Sequence, residues 1–119
     1  MQDLPVYLAM TGFLLMGVGA LLKPVLVTGQ FGVRELSAAG RNEIRAVYGG
    51  FGVTMAAVLT LSLLDPELRP GILISVALAL GGMAVGRLIS AAIDRQFDRA
   101  PLVYFIFESV LAIILGIAA

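Results

Sequence analysis

Long apolar runs alternate with short polar stretches along the chain. A helix needs about 20 apolar residues to cross the hydrocarbon core of a bilayer. The runs show no period-2 alternation, and an open sheet edge leaves backbone groups unsatisfied in lipid, so helices are favoured over strands. The pattern therefore predicts an all-α fold, an integral membrane bundle of four transmembrane helices over about 4–22, 44–64, 70–93 and 101–119.

The connections between the predicted helices differ in length. Residues 65–69 and 94–100 form short polar turns, so helices two, three and four should be antiparallel neighbours. The connection over residues 23–41 is longer and carries apolar side chains such as Phe31 among its polar ones. We interpret it as an interfacial or partly re-entrant segment, with a solvated loop as the alternative. No repeat or linker divides the chain, which predicts a single transmembrane domain over residues 1–119.

Composition supports the membrane interpretation and removes several kinds of chemistry. Hydrophobic residues make up 60% of the chain and charged residues 13%, whereas soluble domains are about half apolar and about a quarter charged. The net charge is zero, so no basic field favours nucleic acid as a partner. Cysteine and histidine are absent, which excludes disulfides and the usual zinc and haem ligands. We expect no cofactor and no metal site.

Basic residues predict the orientation, because they concentrate in cytoplasmic loops. The first and third connections hold five of them and the second holds one; in chain order they are Lys23, Arg34, Arg41, Arg69, Arg95 and Arg99. The first apolar run lacks a basic leading region and a convincing cleavage site, so it is expected to remain as a helix. We therefore predict a multi-pass protein of the cytoplasmic membrane with both termini outward.

Glycines mark faces where helices can approach one another closely. Helix two carries Gly49, Gly50 and Gly52, and helix three has Gly82 and Gly86 at GxxxG spacing. Small residues allow close packing between membrane helices, where lipid provides no hydrophobic drive for association. Packing within one bundle is the first interpretation, and a homodimer seam is the second.

Two ionisable residues lie inside the apolar runs at matching depth. Arg87 precedes the turn of residues 94–100 by about as much as Glu108 follows it. At a rise of about 1.5 Å per residue, both sit roughly 15 Å from the centre of the turn. Since helices three and four are predicted neighbours, we expect a buried Arg87–Glu108 pair.

Other polar residues are expected near the same leaflet. By helical periodicity Arg45 shares a stripe with Gly49 and Gly52, which should direct Arg45 and Tyr48 into the bundle. The predicted inner-leaflet polar cluster is Asn42, Glu43, Arg45, Tyr48, Arg87, Ser90, Asp94 and Glu108. It has two interpretations: paired charges that fix the helix register, or a site for a polar headgroup, a small anion or a proton relay.

The same residues carry a resemblance to a known family. The string NE-x-RA-x-YGG over residues 42–50, Gly86-Arg87-x-x-Ser90 in helix three and Glu108 in helix four resemble the DUF4345 family of small bacterial membrane proteins. The resemblance covers essentially the whole chain. It implies a four-helix fold in the bacterial inner membrane and no known activity.

A second resemblance is confined to helix two. Glu43, followed by the Gly49-Gly50 pair, is similar to DoxX-type membrane proteins, some of which are associated with quinone-linked redox complexes. It covers little more than this helix, and no DoxX catalytic residue can be carried over.

Three classes of function remain open from the sequence. The chain could bind a lipid headgroup, a quinone or a small anion through the polar cluster. It could instead be a non-catalytic accessory or assembly subunit of a larger membrane complex, with other subunits or a second copy as partners. An enzyme acting on a lipid or quinone is less favoured, since only Glu43 or Glu108 could serve as its base.

Overall fold

The computed structural model of the protein describes residues 2–119 and contains only helices, turns and extended connections over that range. The helices are α1 (Leu4–Leu22), the single turn α2 (Val25–Thr28), α3 (Ala38–Leu64), α4 (Arg69–Asp94) and α5 (Arg99–Ala118). In this part of the chain α1, α3, α4 and α5 are long and apolar enough to cross a membrane. The predicted all-α class and its four spanning helices are confirmed.

Helix α3 begins at Ala38, well before the apolar run near Ile44 that defined it in the sequence. Ser37 forms the N-cap, and its hydroxyl oxygen accepts a hydrogen bond from the Gly40 N–H at 3.0 Å. Such a cap satisfies one of the free N–H groups of the first turn. Hydropathy locates only the apolar part of a helix, so it cannot locate this polar start.

The connection from α1 to α3 is partly helical. The short helix α2 continues into a 3-10 turn over Gly29–Phe31, which ends at Gly32 with a left-handed φ of 88°. Glycine suits this position, since it carries no Cβ to clash there. An extended stretch then leads to Ser37. The interfacial or re-entrant placement of this connection stays a prediction.

A π-helical segment interrupts α3 at Arg45–Gly50. The Phe51 N–H bonds to the Ala46 carbonyl, five residues back instead of four. π-helices are rare, and single turns of them are frequent at functional sites. The segment coincides with the most specific string of the family resemblance.

Residues 7–60 form one compact unit, in which α1 and α3 meet through glycines. A Cβ added at Gly17 would lie 2.6 Å from the backbone nitrogen of Val53. One added at Gly52 would lie 2.7 Å from the Phe13 carbonyl oxygen. Both distances are shorter than any normal contact, so only glycine permits this approach. The predicted close packing within the chain is confirmed at Gly52.

The second compact unit contains α4 and α5, together with residues 2–6 and the end of α3. The two helices pack as the predicted antiparallel neighbours. Arg95 ends α4 in a left-handed conformation with φ of 51°, which reverses the chain toward α5. At the other end of α4, Arg69 Nη1 pairs with Asp3 Oδ1 at 2.8 Å and so joins the start of α1 to the start of α4.

Large apolar side chains cover the outside of the helices. Leu22, Leu64, Leu78, Ile93 and Ile117 are each more than 70% exposed. In water such a surface would lead to association. In a bilayer it faces hydrocarbon, as expected for a multi-pass membrane protein.

Candidate functional site

Arg87 of α4 and Glu108 of α5 form a two-point ion pair. Arg87 Nε donates to Glu108 Oε1 at 2.6 Å, and Arg87 Nη2 donates to Glu108 Oε2 at 2.9 Å. The exposed fraction of the side chain is 5% for Glu108 and 23% for Arg87. This parallel geometry is the strongest arrangement available to a guanidinium and a carboxylate. The pairing expected from the matched depths is therefore present.

The sequence of α5 explains why Glu108 is buried. Glu108, Leu111 and Leu115 are the buried residues of this helix, and their spacing puts them on one face. A carboxylate thus takes the place of an apolar core residue. An unpaired charge there would be costly, and Arg87 on the neighbouring helix supplies its counter-ion.

Tyr104 completes this group and was not predicted from the sequence. The guanidinium carbon of Arg87 lies 5.4 Å from the centre of the Tyr104 ring, within cation–π range. Tyr104 precedes Glu108 by one helical turn, so both side chains reach the same neighbour. The four-residue spacing between Tyr104 and Glu108 is the sequence signal from which Tyr104 could have been predicted. Arg87 is held from two sides, by a carboxylate and by an aromatic ring.

An open cavity of about 550 Å³ lies beside this pair, at the turn between α4 and α5. Its polar lining residues are Arg87, Ser90, Asp94, Gln96 and Asp98; the others are Met83, Gly86, Ala91, Phe97 and Pro101. The stretch from Met83 to Asp94 corresponds to roughly 16 Å along the helix axis. The cavity therefore runs from the turn to the level of the buried ion pair.

Three of the predicted site residues line this cavity, and the turn adds two more. Arg87, Ser90 and Asp94 follow one another along α4 at helical spacing. Gln96 and Asp98 join them because the left-handed Arg95 turns the chain back over the end of α4. The Gln96 side-chain amide donates to Asp98 Oδ1. Sequence patterns do not reveal which residues of a polar turn face a cavity, so these two were missed.

The remaining predicted residues belong to the unit of residues 7–60. Asn42 and Glu43 are exposed in the first turns of α3, and Tyr48 is half-buried in the π-helical segment. The grouping of all eight predicted residues into one cluster stays a prediction.

The predicted orientation of Arg45 into the bundle stays a prediction. Arg45 is exposed, and its Nε donates to the Leu21 carbonyl at 3.1 Å. The last carbonyls of a helix have no partner within the helix, and a positive charge is favourable there. Arg45 therefore satisfies one of the last carbonyls of α1.

Comparison with known proteins assigns the family. The profile of a domain of unknown function, DUF4345, matches residues 3–119. The chain belongs to the DUF4345 family. No curated protein and no solved structure shows significant similarity to it. The resemblance of helix two to DoxX-type proteins stays a prediction.

The chemistry available to this DUF4345 protein at the cavity is recognition by charge and hydrogen bonds. Within residues 2–119, no group of three or more acidic side chains could hold a metal ion together. The cavity instead offers two carboxylates, one hydroxyl, one amide and a guanidinium that is bound to Glu108. These groups suit a polar ligand.

Proposed function

We propose that this DUF4345 protein binds the headgroup of a membrane lipid in the cavity between α4 and α5. The observation that carries the proposal is the polar lining of an open cavity on two helices that are otherwise apolar. Ionisable groups within membrane helices are costly and usually serve a site or pathway. The Arg87–Glu108 pair supports such a site by fixing the cavity wall.

The mixed lining of the cavity favours a lipid over a soluble ligand. The cavity extends from the turn at Asp98 to Met83, and both polar and apolar side chains line it. A lipid likewise combines a polar headgroup with apolar chains. A quinone and a small anion, the other ligands considered from the sequence, match only part of this lining.

Gly86 allows the proposal to be tested by filling the cavity. Gly86 lines the cavity, and a Cβ added there meets no atom within 4 Å, so Gly86→Leu should fold while occupying ligand space. We expect lipid that co-purifies with the wild-type chain in mild detergent to be lost from this variant. Native mass spectrometry measures the retained lipid.

Gly82→Leu is the matched control. Gly82 lies one helical turn before Gly86 and does not line the cavity. A Cβ added at Gly82 has the same free space as one added at Gly86. We expect it to retain lipid like the wild type. Equal lipid retention in Gly86→Leu, Gly82→Leu and the wild type would contradict binding in the cavity.

A role as an accessory subunit is the second candidate, and the open glycines of α4 favour it. Gly82 and Gly86 stand at GxxxG spacing, and a Cβ added at either one meets nothing within 4 Å beyond the adjacent backbone of its own helix. Such a face suits a second helix, from a copy of this chain or from another subunit. In the same mass spectra, this role would appear as bound protein that both leucine variants remove.

We also propose the bacterial inner membrane as the location, with both termini outward. The support is the excess of basic residues in the connections after α1 and after α4. A reporter that is active only outside the cytoplasm should therefore be active when fused after Ala119. A cytoplasmic reporter should be active when inserted in the turn at Gln96. The opposite pattern would reverse the orientation.

A further inference from the structure

We infer that the cavity selects a headgroup carrying a protonated primary amine, as in a zwitterionic aminophospholipid. The inference rests on the proposed function and names the class of lipid. It follows from the charges that line the cavity and from those that flank it.

The charge of Arg87 is already compensated inside the protein. Two of its nitrogens donate to the two oxygens of Glu108, which is almost completely buried. The charges of the lining that remain are those of Asp94 and Asp98. An anion entering the cavity would meet the two carboxylates of the lining, whereas an ammonium group would complement them.

The neutral groups of the cavity fit the same ligand. An ammonium group has three N–H donors and no acceptor, so it needs several oxygens around it. The Ser90 hydroxyl and the Gln96 side chain add acceptors to those of the carboxylates. Recognition of a quaternary amine instead relies on several aromatic faces, and Phe97 is the single aromatic residue of the lining. A primary amine is therefore preferred over choline.

Two arginines beside the cavity match the other charge of a zwitterionic headgroup. Arg95 and Arg99 are exposed and alternate in sequence with the lining residues Asp94 and Asp98. Basic residues at the membrane surface attract lipid phosphates. The headgroup would place its ammonium in the cavity and its phosphate toward these arginines.

The experiment is lipid competition in nanodiscs with equal amounts of phosphatidylethanolamine, phosphatidylcholine and phosphatidylglycerol that share the same acyl chains. We expect the protein to retain phosphatidylethanolamine over phosphatidylglycerol by about tenfold, the factor that one charge-assisted hydrogen bond provides. Asp94→Asn and Asp98→Asn should each reduce this preference severalfold. Glu67→Gln makes the same chemical change at an exposed acid of the α3–α4 turn and should leave it unchanged.

The outcomes separate the two proposals. If the wild type retains the three lipids equally and Gly86→Leu retains none of them, selection of an amine is overturned and binding of lipid in the cavity still stands. A preference for phosphatidylglycerol also overturns amine selection and indicates an anion site. Absence of any retained lipid overturns both proposals. Displacement of the bound lipid by free phosphoethanolamine would support recognition of the headgroup without the acyl chains.

Discussion

Replacing Glu108 with alanine should lower the free energy of unfolding by about 1–3 kcal/mol, because Arg87 then loses the partner of its charge. Breaking a buried ion pair costs about 3–5 kcal/mol in soluble proteins, whereas interhelical hydrogen bonds in membranes contribute about 0.6 kcal/mol on average. The two-point geometry and the burial of Glu108 place this pair between those limits. Arg87→Ala should have a similar effect.

A double-mutant cycle measures the energy of the Arg87–Glu108 contact separately from the other contributions of the two side chains. The double variant should lose less stability than the sum of the single losses, since it leaves no unpaired charge. Thermal unfolding in detergent measures all four proteins. Strictly additive losses would contradict a direct contact. If the single variants kept the stability of the wild type but lost bound lipid, the pair would be needed for binding the ligand and not for the fold.

Asp3 and Arg69 provide an internal control for this cycle. Their distance of 2.8 Å lies between the two distances of the buried pair, 2.6 and 2.9 Å, but the Asp3 side chain is 55% exposed. Exposed pairs contribute about 0.2–1 kcal/mol. The coupling measured for Asp3 and Arg69 should therefore be the smaller of the two.

Gly17→Ala should destabilise the packing of α1 on α3. The added Cβ would lie 2.6 Å from the Val53 nitrogen and 2.8 Å from the Gly49 carbonyl oxygen, and both are backbone atoms that cannot rotate away. The helices would have to separate, and such overpacking typically costs about 1–3 kcal/mol. Thermal unfolding should show a clear decrease in midpoint.

Gly82→Ala is the control, because a Cβ at Gly82 meets no atom within 4 Å. Alanine is the better helix former by about 1 kcal/mol, so this variant should be as stable as the wild type or more stable. If both variants lost stability equally, the loss would belong to glycine replacement in general and not to the contact between α1 and α3.

The helices and the central ion pair could be predicted because each depends on a local pattern. Apolar runs long enough to span a bilayer leave few alternatives to helices. The Arg87–Glu108 pair followed from two distances along the chain to one short turn. Neither argument needed knowledge of the packing between distant residues.

The features that were missed depend on three-dimensional detail. The π-helical segment at Arg45–Gly50 has no compositional signature, since its hydrogen bonds shift by one residue within an ordinary helical sequence. This shift also weakens any face assigned across it by 3.6-residue periodicity, such as the stripe of Arg45, Gly49 and Gly52. Gln96 and Asp98 reach the cavity through the left-handed Arg95, a conformation that non-glycine residues seldom adopt.

The unequal lengths of α4 and α5 link the cavity to the thickness of the bilayer. With 26 residues α4 is about 39 Å long, and α5 with 20 residues is about 30 Å long, close to the hydrocarbon thickness. Helix α4 is therefore longer than the hydrocarbon thickness, and its extra length is accommodated by tilting or by extending polar turns into the headgroups. The last turns of α4 carry the polar residues Ser90 and Asp94, which suits an extension of these turns into the headgroups. A thicker membrane would draw these turns, and the cavity with them, toward the hydrocarbon boundary.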